Sequence, residues 1–222
     1  MNIKNKTALT TAAATLITLS MSNVVQAKDG LYIGSKITNS TLSHSIERNT
    51  GSNTTPSIST TNDETDVGLG FNLGYKQHLT DNFYLAGELF YNEEDITTRN
   101  LNNLLITEVT LNNSYGFKLR TGIDITDKFS VYSALGITNL DFDLNNSYPF
   151  APPKRSASRS ESAFTFGFGG EYQVTDNLSV LAEYSQLNDV DFDPIPEVAV
   201  PGKINANELD YSSFTIGVNY AF

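Results

Sequence analysis

The chain has 222 residues, with 25 Asp and Glu against 14 Lys and Arg, which gives a formal net charge of −11. This length favours one domain, and the acidic balance argues against a nucleic-acid-binding protein, which needs a basic surface to neutralise phosphates. Because the chain contains no cysteine, a disulfide framework, a thiolate metal site and a cysteine nucleophile are all excluded.

The first residues have the features of a secretory signal peptide. Two lysines precede a modestly apolar stretch over residues 7–21, and Val25-Gln26-Ala27 supplies small residues at the −3 and −1 positions of a cleavage site. The stretch is too short and too rich in threonine to cross a membrane as a helix. We therefore predict a signal peptide over residues 1–27, cleavage before Lys28, and a mature domain over residues 28–222.

Three similar tripeptides predict tight turns between strands. An apolar residue precedes and follows each of them, and they are spaced 46 and 49 residues apart. Aspartate and asparagine favour such turns because they tolerate left-handed backbone and bond to their own main chain. A spacing of this size accommodates two strands, one tight turn and one longer connection. The tripeptides are Thr80-Asp81-Asn82, Thr126-Asp127-Lys128 and Thr175-Asp176-Asn177.

Apolar and polar residues alternate with a period of two on both sides of these turns. Before the first turn, for example, Leu69 and Phe71 alternate with glycine and asparagine. The same pattern in a later strand predicts that Val109 and Leu111 lie on one face with Tyr115. Alternation of this kind is typical of strands with one apolar and one polar face.

The turns and the alternation together predict eight strands. Three tight turns join six strands, and two more are predicted over about residues 30–41 and 209–222. Because the number is even, both ends of the domain lie at the tight-turn end, and four long connections lie at the other. These connections are predicted at Leu42–Thr65, Thr98–Leu105, Asp143–Glu161 and Leu187–Glu208.

Two fold classes fit eight alternating strands, and they differ in which face is buried. In a soluble sandwich or lipocalin-like barrel the apolar face packs inward, whereas in an outer-membrane barrel it faces lipid. Aromatic residues near the strand ends and small or mixed-charge residues on the polar face favour the membrane barrel. We therefore predict an all-β, eight-stranded, antiparallel up-and-down transmembrane barrel. The expected ion-pair candidates in its lumen are Lys36, Lys76, Glu88, Lys118, Arg120, Asp124, Glu171 and Glu183.

The closing run of the chain alternates apolar residues and ends in phenylalanine. Its apolar positions are Phe214, Ile216, Val218, Tyr220 and Phe222. With the signal peptide and the three turns, this run resembles the eight-stranded outer-membrane barrels of the OmpA transmembrane-domain and OmpX/Ail type. The resemblance covers essentially the whole mature chain. It implies export through the periplasm and recognition of the last strand, as an assembly signal, by the barrel assembly machinery.

Candidate chemistry is scarce in this sequence. We interpret His44 as a solvated loop residue and His78 as a solvated or interfacial one, because no motif brings a base, a carboxylate and a nucleophile together. The sequence therefore predicts neither a catalytic site nor a cofactor or metal site.

The leading prediction is a structural or surface-interaction protein of a Gram-negative outer membrane. It would lie in outer-membrane lipid and lipopolysaccharide, and its four outer loops would contact a host or envelope ligand, as an adhesin or surface antigen does. Two alternatives stay open, namely a narrow ion-conducting pore through the mixed-charge lumen and a lipid A-modifying barrel enzyme.

Overall fold

The computed structural model describes residues 29–49, 58–102, 105–148, 151–188, 190–192 and 203–222. The predicted signal peptide and its cleavage site lie outside these residues and stay predictions. Within the described ranges, no helix has the length and apolarity needed to cross a membrane. The strands of this part of the chain are β1 (Gly30–Asn49), β2 (Ile58–His78), β3 (Phe83–Asn102), β4 (Leu105–Thr126), β5 (Phe129–Tyr148), β6 (Ala151–Gln173), β7 (Leu178–Leu187), β8 (Val190–Phe192) and β9 (Lys203–Ala221).

The strands form one closed antiparallel sheet. Each strand from β1 to β7 pairs with its neighbour in sequence, β9 pairs with β7, and a β1–β9 ladder closes the ring. The short β8 pairs with β9 beyond the end of β7, so that β7 and β8 occupy one position in the ring. The structure therefore confirms the predicted eight-stranded barrel.

The three predicted tight turns lie where the sequence placed them, and their threonines stabilise them. The turns separate β2 from β3, β4 from β5, and β6 from β7. In each turn the threonine hydroxyl accepts a hydrogen bond from the main-chain N–H three residues later. The distances are 3.1 Å at Thr80, 3.0 Å at Thr126 and 3.1 Å at Thr175. These side chains satisfy backbone donors that a tight turn leaves without ladder partners.

The predicted long connections are wrong in extent, because the strands continue through most of them. For example, only residues 103–104 separate β3 from β4, and only 149–150 separate β5 from β6. Serine, threonine and asparagine on both faces suggested loops, but polar strands also pair when their hydroxyls bond across the ladder. Thr41 and Thr65 approach to 3.0 Å in this way, as do Thr97 and Thr110 at 2.9 Å.

An outward apolar band surrounds the half of the barrel nearest the tight turns. Leu135, Phe164 and Phe168 are each more than 60% exposed. Such exposure of large apolar side chains is unfavourable in water, but it is what a lipid-facing surface requires. Strands of about 9–11 residues cross a bilayer; the band has this length on six strands and is 7 residues long on β1 and β7. We take the membrane-spanning segments as residues 31–37, 67–75, 83–91, 115–125, 129–137, 164–174, 178–184 and 214–222.

The β4 strand changes its orientation at Asn112. Its ladder with β5 shifts register between Leu111 and Asn113, which is a β-bulge. One extra residue in a strand moves the side chains beyond it to the opposite face of the sheet. Val109 and Leu111 are therefore buried inside the barrel, while Tyr115 faces outward. The prediction that these three residues share a face is therefore wrong.

Candidate functional site

Five charged side chains meet in the lumen at the level of the membrane. They alternate along their strands with lipid-facing residues, so the pleat of the sheet turns them inward. All five are buried, at 7% exposure or less. They are Lys36 on β1, Glu88 on β3, Lys118 and Arg120 on β4, and Glu183 on β7. We call these residues the central cluster.

Ion pairs connect the whole central cluster. The Arg120 Nη2 atom lies 2.8 Å from Glu88 Oε2 and 3.5 Å from Glu183 Oε2. The Lys36 Nζ atom lies 3.9 Å from Glu88 Oε1, and Lys118 pairs with Glu183. Because three cations share two carboxylates, the two glutamates hold the network together. Such pairing is what charges removed from solvent require.

The remaining three ion-pair candidates lie nearer the tight-turn end. Lys76 Nζ lies 2.8 Å from Glu171 Oε2, and the Ser179 hydroxyl donates to the other oxygen of that carboxylate at 2.5 Å. Asp124 has a different kind of partner, because its Oδ2 lies 3.2 Å from His78 Nε2. The structure thus places all eight candidates inside the barrel or at its mouth.

His78 ties the start of β1 to the barrel mouth. Its main-chain N–H donates to Asp29 Oδ1 at 2.8 Å, and its ring Nδ1 lies 2.5 Å from the same oxygen. Its other ring nitrogen faces Asp124. This role could not be predicted from local sequence, because Asp29 and Asp124 are distant from His78 along the chain.

Inward aromatic rings cover the cations of the lumen, and the sequence interpretation did not identify them. Lys36 and Lys118 both lie over the ring of Phe90, with Nζ 4.7 and 4.8 Å from its centre. Lys76 lies 4.7 Å from the ring centre of Tyr84, which in turn packs on Gly122 of the paired strand, where a Cβ would overlap the ring. These rings share the strand parity of the charged residues, which was the signal available in the sequence.

A layer of uncharged groups and one carboxylate lies just outside the spanning segments. Ser114 and Tyr211 donate to Glu94 Oε1 at 2.6 and 2.7 Å, and the Ser40 hydroxyl lies 2.9 Å from that of Tyr211. No cation in the described part of the chain forms a salt bridge with Glu94. Burial therefore raises the pKa of Glu94, and its hydrogen-bond donors oppose this only partly.

An apolar cluster closes the lumen beyond this layer. Its side chains come from β1, β3, β4, β5, β7 and β9, and all are 3% exposed or less. Here the polarity of the wall is that of a soluble barrel, with apolar side chains inside and polar ones outside. The prediction of a polar interior is therefore wrong at this height, where the inward side chains are apolar. Its members are Leu42, Ile96, Val109, Leu111, Leu140, Phe142, Leu144, Leu187 and Tyr211. We call it the apolar plug.

The ion pairs, hydrogen bonds and apolar packing of the described interior support the stability of the barrel. No group of three or more His, Cys, Asp or Glu side chains within those ranges could hold a metal ion. The buried charges are engaged with one another, and the apolar plug separates them from the outer end. The outer wall beyond the apolar band is the part of the described surface that faces neither lipid nor the lumen.

Comparison with known proteins agrees with this architecture. A family model described as the outer membrane protein beta-barrel domain matches residues 11–222. Among solved structures, Neisserial surface protein A is 13% identical, with a TM-score of 0.50 over 87% of this chain and 97% of its own. Ail of Yersinia pestis is 15% identical, with a TM-score of 0.42 over 85% of this chain and 98% of its own.

A third similar structure is an enzyme. The outer membrane protease OmpT of Escherichia coli is 10% identical, with a TM-score of 0.48 over 91% of this chain and all of its own. None of the curated proteins compared with the chain matches it.

Proposed function

The chain belongs to the outer membrane protein β-barrel domain family and is an outer-membrane protein, and from that premise we propose that it is a non-conducting surface-interaction barrel. Its membrane half would serve as an anchor, and its outer half would carry the contact surface. Assembly would follow recognition of the terminal pattern, which ends in Tyr220 and Phe222, by the barrel assembly machinery. Outer-membrane lipid and lipopolysaccharide form its surroundings.

The apolar plug is the observation that carries this proposal. An ion crossing the lumen would have to leave water, disrupt the central cluster and then pass a layer of side chains such as Leu111 and Phe142, which are 1% exposed. Transfer of a charge into such surroundings is strongly unfavourable. The lumen of an eight-stranded barrel is in general only wide enough for its own side chains.

Planar-bilayer recording tests the proposal against the narrow-pore alternative. The purified barrel is expected to give no stable conductance steps, and Leu111→Ala is expected to add none, since the central cluster still fills the lumen. Stable channels whose ion selectivity changes in Glu88→Gln or Arg120→Met would contradict the proposal and establish the pore. The heat-modifiable shift on a gel confirms that each inserted protein is folded.

The lipid A-modifying enzyme is the second alternative, and nothing in the geometry favours it. We propose that the protein is not an enzyme, because the charged side chains described in the lumen are engaged in ion pairs or hydrogen bonds. Mass spectrometry of lipid A from cells with and without the gene is expected to show identical acyl chains. A difference that is restored by the wild-type gene would contradict this.

A further inference from the structure

The barrel wall is not paired along its whole height. The β2–β3 ladder runs from His78↔Tyr84 to Leu69↔Glu93 and stops there. Beyond that point, within the described residues, the ladder partners of Ile58–Gly68 lie only in β1, and those of Ile96–Asn102 lie only in β4. These two facing strand edges form what we call the β2/β3 seam.

A β-bulge explains why the strands part at this height. The β3–β4 ladder shifts register between Glu93 and Ile96, so Glu94 and Asp95 have no partners in it. A bulge bends its strand and increases the local twist, and the β2–β3 ladder ends at Glu93, where this bulge begins. The separation also exposes Glu64 and Asp66, whose strand parity would direct them into the barrel.

One contact shows that the β3 edge accepts donors from outside its ladder. The Asn62 side-chain amide donates to the main-chain oxygen of Arg99 across the seam at 2.7 Å. A side-chain donor thus reaches a position where a neighbouring strand would supply an N–H group. Main-chain groups at an unpaired edge are a template for an added strand.

The charges along the seam determine which strand it suits. Five exposed carboxylates flank it, against the single exposed cation of Arg99 among the side chains described there. A second copy of this chain would bring like charges together, whereas a cationic segment would be attracted. The acidic residues are Asp63, Glu64, Asp66, Glu93 and Asp95.

We propose that the β3 edge of the β2/β3 seam binds an extended cationic peptide segment, which adds as a strand and displaces the end of β2. Main-chain hydrogen bonds would provide the affinity, and the flanking carboxylates would select lysine or arginine. In the absence of a partner, the same charges would protect the edge from pairing with other copies. This inference rests on the proposed surface-interaction function and names its partner class.

The test uses three synthetic peptides and the full barrel in phospholipid nanodiscs. The first peptide alternates lysine and threonine over nine residues, the second is identical but N-methylated at alternate positions, and the third has glutamate for lysine. Fluorescence polarisation measures their binding at low and at physiological salt. We expect the lysine peptide to bind in a salt-dependent way, the N-methylated one to bind at least about tenfold more weakly because hydrogen bonds are lost, and the glutamate one not to bind.

Two barrel variants of equal charge locate the site. The first variant, Asp63→Asn/Glu64→Gln/Asp66→Asn, removes three carboxylates at the seam. It is expected to weaken binding of the lysine peptide by about tenfold or more. The matched control Asp141→Asn/Asp143→Asn/Glu161→Gln removes three carboxylates from β5 and β6, which lie away from the seam, and should change binding by less than about twofold.

Several results would overturn the inference. They are equal binding of the N-methylated peptide, equal losses in the two triple variants, absence of binding at low salt, or self-association of the barrel instead of peptide binding. The proposed function has a separate readout, because stable conductance in the planar bilayer would contradict it whatever the peptides do.

Discussion

Replacing Glu88 by glutamine is expected to destabilise the barrel strongly, because it removes one of the two carboxylates of the central cluster. The cluster contains three cations and two carboxylates, and Glu88 contacts Arg120 at 2.8 Å and Lys36 at 3.9 Å. Without Glu88, three buried cations would share the single carboxylate of Glu183. Removing one partner of a buried ion pair typically costs about 3–5 kcal/mol, and we expect a loss in this range.

Removing Lys36 should have a much smaller effect, because it corrects the excess of cations. Lys36→Met leaves two cations with two carboxylates, and methionine adapts its shape to fill the space. Its 3.9 Å separation from Glu88 is also too long for a hydrogen bond. We expect a cost below about 1 kcal/mol. The double variant Glu88→Gln/Lys36→Met should recover part of the stability that Glu88→Gln loses.

Equilibrium unfolding in urea, with the barrel in lipid vesicles, measures these differences. Because the chain contains no tryptophan, the folded fraction is followed by heat-modifiable gel mobility and by far-ultraviolet circular dichroism. Asp81→Asn, at an exposed turn, serves as a control that removes a carboxylate without touching the lumen. The account would be refuted if Glu88→Gln unfolded like the Asp81 control, or if Lys36→Met cost as much as Glu88→Gln.

Three further predictions concern the outer layers and the wall. Phe142→Ala should lower the free energy of unfolding by about 3–5 kcal/mol, because the ring is 1% exposed within the apolar plug; a loss below about 1 kcal/mol in urea unfolding would mean that the plug is not packed. Burial raises the pKa of Glu94 above its ordinary 4.5, so the folded barrel holds a proton that the unfolded chain loses, and stability should fall as the pH rises above about 4.5. Glu94→Gln should remove this part of the pH dependence while the exposed Glu93→Gln keeps it, and identical pH profiles of unfolding would contradict the assignment. Gly122→Ala should slow the appearance of the heat-modifiable form and lower stability by about 1–3 kcal/mol, since a Cβ would overlap the Tyr84 ring; an unchanged folding yield and midpoint would show that the ring moves freely.

Alternation along the strands was enough to predict which charged residues point into the lumen. It assigned Glu88, Lys118 and Glu183 to the inner face because period-two patterning is a local property of a strand. The partners of each residue could not be predicted, since Lys118 and Glu183 lie on β4 and β7, and only barrel closure brings them together. The same holds for His78, whose contacts with Asp29 and Asp124 join separate strands.

The structure of the barrel beyond the apolar band could not be predicted from the sequence, for two physical reasons. Serine- and threonine-rich segments such as 58–66 lack an apolar face, so the alternation signal disappears although the backbone ladder continues. The bulge at Asn112 inverts parity and conceals that Val109 and Leu111 belong to the interior. Because of these two effects, the sequence pattern predicts neither the apolar plug nor the β2/β3 seam. Both lie beyond the membrane-spanning segments.

The inversion of polarity along a single strand is tested most directly by fluorescence quenching at two outward positions of β5. Because the chain has no cysteine, Leu135→Cys and Asp143→Cys each provide one labelling site for an environment-sensitive dye. In vesicles, the label at position 135 should be quenched by spin-labelled lipid and not by a water-soluble quencher, and the label at position 143 should show the reverse. A label at position 135 that is protected from lipid but reached from water, or hidden from both, would contradict the account.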